Sequence, residues 1–216
     1  ESDNWPRCVQ LSWQIHDQEG ALTSSRDYLI KPDGFKIPYD SENIHGISTE
    51  LAIQEGEGVN NVLNYFKDDL TKVDYIIGHN VKFDRNILGA EFLRKGKDDP
   101  FPALKIIDTC TEETANVCQI KGGPRGRFKL PTLTELYFFL FNDKFEEAHN
   151  ATADVEATAR VFFELIRRKL IKPTAFDDQN LQTDQIIKIQ NTISLYGIKH
   201  KNLRLESQKL KSPSTD

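Results

Sequence analysis

Residues 9–15, VQLSWQI, alternate apolar and polar positions among β-forming residues. Residues 22–30, LTSSRDYLI, resume that pattern after HDQEG at 16–20, so 9–30 is predicted to be a β-hairpin. The stretch IPYDSENIHGISTELA (37–52) reads as a loop leading into a short helix capped by Ser48. VNNVLNYFKDDL (59–70) spaces its apolar residues as one helical face. VDYIIG (73–78) and LKIIDT (104–109) are short apolar runs of the kind buried on both faces of a parallel sheet. Between them a helix is expected over 81–95, stopping at Gly96. Further helical patterns lie near 110–119 and 131–141. A long one over 151–170 lines up Val155, Ala159, Phe162, Phe163, Ile166 and Leu170.

Strands that alternate with helices predict an α/β fold with a parallel portion, and the leading hairpin adds an antiparallel one. The pattern fades after residue 173. Residues 174–216 are polar, with one weak helical pattern at 184–195, and read as an appendage or linker. Their basic residues Lys199, Lys201, Arg204, Lys209 and Lys211 outnumber Glu206 and Asp216, which suits either a solvated tail or a tether to a partner.

Composition narrows the class. With 216 residues, 38% hydrophobic and 28% charged, the chain can bury one full core. No apolar run is long enough to span a bilayer, so no membrane association is expected. Three cysteines without metal-type spacing indicate a reducing compartment, and a cytoplasmic location is expected. The net charge of −5 gives no global signal for nucleic acid, although a cluster of metal-binding carboxylates is itself acidic. The chain starts at Glu1 and contains no methionine, which points to an excerpt of a longer protein.

One arrangement occurs twice. HNVKFD (79–84) and HNATAD (149–154) share the form His-Asn-x-x-x-Asp. With Asn80 and Asn150 as helix caps, Asp84 and Asp154 each fall at the fourth helical position. Backbone N–H groups and the helix dipole favour an ionised carboxylate there. The first of these helices follows a strand directly, at the crevice beyond the carboxyl ends of a parallel sheet. Two aspartates aimed at one crevice offer the hard oxygen ligands that divalent cations take. On one helix His149 and Asp154 would point about 140° apart. They share a site only if His149 lies in the loop before the cap, where a solvent-reachable imidazole suits a general base.

These residues also resemble a known family. The chain is similar to the DEDDh (DnaQ-like) 3′→5′ exonucleases, the group that includes the proofreading epsilon subunit of bacterial DNA polymerase III. HNVKFDRNIL (79–88) resembles that family's second motif and HNATADVEAT (149–158) its third, while IHGIS (44–48) resembles the segment set against the 3′-terminal nucleotide. The resemblance covers residues 5–170. It implies a ribonuclease H-like mixed sheet with flanking helices, in an exonuclease domain over residues 1–173. It also implies two Mg²⁺ or Mn²⁺ ions held by carboxylates including Asp84 and Asp154, with His149 as general base. Ile44 and His45 would contact the terminal nucleotide, and Asn80 and Phe83 would flank it. Nucleoside monophosphates would leave one at a time from single-stranded or frayed DNA, in proofreading or repair, with a DNA polymerase subunit as a candidate partner.

The family's first motif, Asp-x-Glu on a central first strand, has no counterpart. ESD (1–3) has the wrong order, and DQE (17–19) falls in the hairpin turn. The sequence therefore reads as lacking the family's first strand, and the chain as given is expected to be close to inactive. Two alternatives stand beside the DNA exonuclease: the same chemistry on RNA, or a non-catalytic nucleic-acid-binding or docking module of this fold. KGGPRGRFK (121–129) carries four cations and no acid, so Arg125 and Arg127 are candidates for holding the phosphate backbone of a single strand.

Overall fold

A computed structural model describes residues 5–17, 19–101, 104–144, 151–171 and 192–195, the last group by backbone alone. The hairpin forms as expected, from β1 (Gln10–His16) and β2 (Leu22–Lys31). Asp17 closes its turn by accepting the N–H groups of Glu19 at 3.0 Å and Ala21 at 2.8 Å. The expected loop before Ser48 is instead a short helix, α1 (Tyr39–His45), ended by Gly46 in the left-handed region. Ser48 then caps α2 (Thr49–Glu55), its hydroxyl accepting the Leu51 N–H at 3.0 Å. A two-residue strand, β3 (Glu57–Gly58), leads into α3 (Val59–Leu70). Next come β4 (Tyr75–Gly78), α4 (Val81–Arg94), β5 (Lys105–Asp108), α5 (Glu112–Cys118), α6 (Leu133–Phe141) and α7 (Ala151–Arg167).

The sheet runs β3-β2-β1-β6-β4-β5, where β6 is Thr192–Leu195. β6 is antiparallel to β1 and parallel to β4, so it stands in the middle of the sheet. The weak helical pattern over 184–195 gives way here to a strand. β1 and β4 each offer it an edge of backbone donors and acceptors, and the β-branched Thr192 and Ile193 suit a pleated position. The sheet is thus built partly from a segment that composition alone marks as an appendage.

Helices cover both faces. On one side Leu11, Trp13 and Ile15 of β1 and Ile76 of β4 pack with α3 and α4 through Leu63, Phe66, Leu88 and Phe92. On the other, Tyr75 and Ile77 of β4 and Ile107 of β5 pack with α6 and α7 through Leu136, Leu140, Phe162 and Leu165. Adjacent residues of β4 therefore serve opposite cores, which is why its sequence is a continuous apolar run. β5 departs from the expectation of a strand buried on both faces: Lys105 is exposed and only Ile107 is fully buried, because β5 is the sheet edge. Among the described residues no helix is long and apolar enough to cross a membrane.

Candidate active site

The carboxyl ends of β4 and β5 form one rim of the sheet, and α4 starts there. Its first turn is held differently from the expected Asn cap. Asn80 occupies the cap position in the left-handed region, at φ 63°, ψ 42°, and its side chain makes no cap bond. Asp108, the last residue of β5, caps the helix instead. Its Oδ1 accepts the Asn80 N–H at 2.7 Å and the Cys110 N–H at 2.8 Å, and its Oδ2 accepts the Val81 N–H at 3.0 Å. Asparagine tolerates left-handed backbone better than most residues, so Asn80 contributes its backbone geometry here and Asp108 contributes the acceptor.

Asp84 falls at the fourth position of α4 and is 4% exposed; Asp154 falls at the fourth position of α7 and is 8% exposed. Burial pushes the Asp84 carboxyl well above the usual carboxylate range, its own backbone N–H partly offsets this, and the charges of Asp108 and Asp154 raise it further. Three carboxylates from two helices and a strand thus share one electrostatic neighbourhood. Among the described residues no three acidic, histidine or cysteine side chains lie close enough together to cage an ion. Asp108 is raised as well, by burial first, against the three N–H groups it accepts.

His79 follows β4 and is buried. Its Nε2 lies 2.9 Å from the Pro131 carbonyl and therefore donates to it, while Nδ1 lies 3.0 Å from the Thr109 hydroxyl. Burial lowers its pKa to about 4, against a weaker opposing pull from the carbonyl bond. His79 is thus a neutral brace between β4, β5 and the segment entering α6.

Among the described residues, the remaining expected site residues belong to α4, α1 and the segment between α5 and α6. Phe83 is half-buried in the α4 core and meets the Trp5 ring edge-on at 5.9 Å. Ile44 and His45 form the last turn of α1, where His45 Nδ1 accepts the Ile47 N–H at 3.0 Å. Arg127 is ion-paired with Glu112 of α5, so the basic stretch finds its acids elsewhere in the chain. Arg125 is exposed, in the left-handed region at φ 57°. His149 lies outside the described residues. The sequence reading missed Asp108. The signal available was an aspartate ending an apolar strand, three residues before the Thr111 cap of α5.

A mixed sheet with helices on both faces and acidic side chains at its carboxyl rim is the ribonuclease H-like arrangement, and comparison with known proteins agrees. Escherichia coli exonuclease I in complex with a dT13 oligonucleotide superposes with a TM-score of 0.61 at 22% identity, over 76% of this chain and 38% of that one. Its complex with a dA16 oligonucleotide gives 0.60 at 21% identity, over 75% and 38%. The chain therefore spans well under half the length of exonuclease I. Ribonuclease T of Marinobacter nauticus is 30% identical over 168 residues, which cover 70% of each protein. The family described as Exonuclease matches residues 14–162, and the chain belongs to it, as a nuclease of the DEDDh, DnaQ-like type.

Proposed function

We propose that the protein is a metal-dependent 3′→5′ exonuclease that releases nucleoside monophosphates from single-stranded or frayed DNA 3′ ends, in proofreading or repair. The observation that supports this is the pairing of Asp84 and Asp154, each buried in the first turns of its helix, with the Asp154 charge acting on the Asp84 carboxyl. A set of hard oxygen donors with mutually repelling charges suits Mg²⁺ or Mn²⁺. Asp84 and Asp154 would hold the metal. Bound there, a divalent ion supplies charge neutralisation at the scissile phosphate and acidifies water. His149 would take the proton from the attacking water, the role the family resemblance assigns it. Asp108 would act by fixing the start of α4, and so the direction of Asp84. Ile44, His45, Asn80 and Phe83 are the residues we assign to the terminal nucleotide.

The similarity to ribonuclease T favours a second reading, the same reaction on RNA 3′ ends. One assay tests both. DNA and RNA single strands labelled at the 5′ end are incubated with Mg²⁺ or Mn²⁺, beside copies blocked at the 3′ end. A ladder that appears only on unblocked strands is expected, and the favoured sugar decides between the readings. Because the described residues provide no strand bearing Asp-x-Glu, turnover by the 216-residue chain is expected to be slow. Equal cutting of blocked and unblocked strands would mean an endonuclease. Binding without any shortening would leave a docking module.

A further inference from the structure

Between α5 and α6 the chain makes a shaped loop, not a slack one. The Lys129 N–H donates to the Ile120 carbonyl at 2.7 Å, and the Arg127 N–H to the Pro124 carbonyl at 3.2 Å. At Gly123 the chain crosses itself so closely that a Cβ would stand 2.3 Å from the Phe128 carbonyl oxygen, so only glycine fits. The far end of the loop is fastened to the sheet rim, where the Pro131 carbonyl accepts from His79.

On this frame Phe128 is 38% exposed and Leu130 is 47% exposed. With Ala115 and Asn116 of α5 they line a cleft of about 440 Å³. Glu112, which also lines the cleft, comes four residues after Asp108 in the chain. The loop's cations divide into two sets. Arg127 pairs with Glu112 and Lys129 with Glu135, whereas Lys121 and Arg125 have no carboxylate partner among the described residues. Arg125 is also held at φ 57°, a backbone conformation that costs a non-glycine residue energy and that accumulates at functional positions.

An exposed ring on a fixed loop that also carries two cations with no carboxylate partner among the described residues matches what a single-stranded polynucleotide requires: a stacking face and phosphate contacts. We propose that this cleft and its loop carry the strand upstream of its 3′-terminal nucleotide, with Phe128 in the cleft stacking against a base and Arg125 and Lys121, elsewhere on the loop, holding phosphates. The proposal rests on the nuclease reading above. A peptide partner would gain little from the two cations and is the competing occupant.

The test is fluorescence anisotropy on the full chain in EDTA, with 5′-fluorescein oligothymidylates of two and twelve nucleotides. Phe128→Ala is expected to weaken binding of the twelve-nucleotide probe by about 5- to 100-fold, the worth of one stacked base, and to leave the two-nucleotide probe unchanged. Phe128→Trp should restore the affinity. Arg125→Ala should lower the slope of log affinity against log salt by about one contact. Because Phe128 is exposed, its truncation leaves the core intact, and circular dichroism verifies this. If wild type prefers the longer probe and Phe128→Ala binds it equally well, or loses both lengths alike, the cleft assignment is wrong and the nuclease reading stands. If wild type binds neither probe, the nuclease reading fails and takes this inference with it.

Discussion

Asp69, Glu91 and Asp84 are carboxylates buried to a similar degree, at 1%, 1% and 4% exposure, in different company. Asp69 accepts from the Trp13 indole at 2.9 Å, from Arg26 at 2.8 Å and from Lys72 at 2.6 Å. Burial alone would raise its pKa, but the bonds from Lys72, Trp13 and Arg26 outweigh it and hold the carboxyl below its usual value. Glu91 accepts from Arg7 at 2.8 Å, from the Cys8 N–H at 3.0 Å and from Arg94 at 3.1 Å, tying the segment before β1 to α4. Asp84 lies on that same helix, yet the charges acting on its carboxyl include those of two fellow acids, Asp108 and Asp154. Burial of an acid is therefore not the informative quantity; the sign of what surrounds it is. Donors make a buried acid a structural tie, whereas fellow acids make it a group whose cost the fold tolerates for the sake of a ligand.

The comparison breaks most visibly in activity. In a chain that also carries the Asp-x-Glu strand, Asp84→Ala and Asp154→Ala are each expected to reduce 3′→5′ turnover by roughly 10²–10³-fold or more, at least the cost of losing one electrostatic contact to the reacting phosphate. Glu91→Ala should leave the chemistry in place. If rates on a 5′-labelled strand fall equally for Glu91→Ala at a temperature where it is folded, the division into structural and functional acids is wrong.

Stability should divide the other way. Glu91→Ala leaves the Cys8 N–H and two arginines without their acceptor and is expected to cost about 3 kcal/mol. In a chain of this size that lowers Tm by roughly 6–12 °C, read by thermal melting.

The third expectation concerns acid. Burial holds the His79 pKa down to about 4 in the folded state, below the ordinary imidazole value of about 6.5. Above pH 6.5 it is neutral in both states and contributes no pH dependence. As pH falls toward 4 the unfolded chain takes up the proton first, so stability drops by about 3 kcal/mol over that window. Urea melts across pH should show this slope, and His79→Gln should flatten it.

The smallest effect has the opposite sign. Asp84→Asn removes a like charge and should stabilise the metal-free protein by on the order of 1 kcal/mol. Because the folded-state pKa is raised, the unfolded chain ionises first as pH rises. The gain is therefore absent at acid pH and present at neutral pH. Added Mn²⁺ should raise the Tm of wild type and not that of Asp84→Asn, and a variant no more stable than wild type at neutral pH would remove the repulsion argument.

Most of the architecture was legible because it is written in local periodicity. The apolar spacing at 59–70 marks α3 residue for residue, and the nearly all-apolar run at 73–78 contains the strand at 75–78 that is covered on both faces. The position of both aspartates at the fourth helical residue follows from the His-Asn-x-x-x-Asp pattern. What escaped are pairings between distant residues. Asp108 caps α4 across a 28-residue separation, and Asn80 has the same good capping chemistry, so the sequence points to the wrong acceptor. Arg127 reads as an available cation until the fold brings Glu112 beside it. Thr192–Leu195 is too short and too isolated to read as a strand, and only the edges of β1 and β4 give it that form.

That last strand also sets the order in which the molecule can assemble. His16 and Thr192 are neighbours across the sheet while standing near opposite ends of the sequence. During synthesis the hairpin emerges long before β6, so the edge of β1 that β6 takes waits until the segment around Thr192 has been made. Among the described residues β4 joins that side of the sheet through β6. Closing so long a loop costs little more than closing a moderate one at equilibrium, since the entropy grows only with the logarithm of length. In time it costs more, because non-local pairing is the slow step of folding. A chain stalled at that point presents two open strand edges, those of β1 and β4, to any other chain in the same condition, and self-association then competes with completion of the sheet.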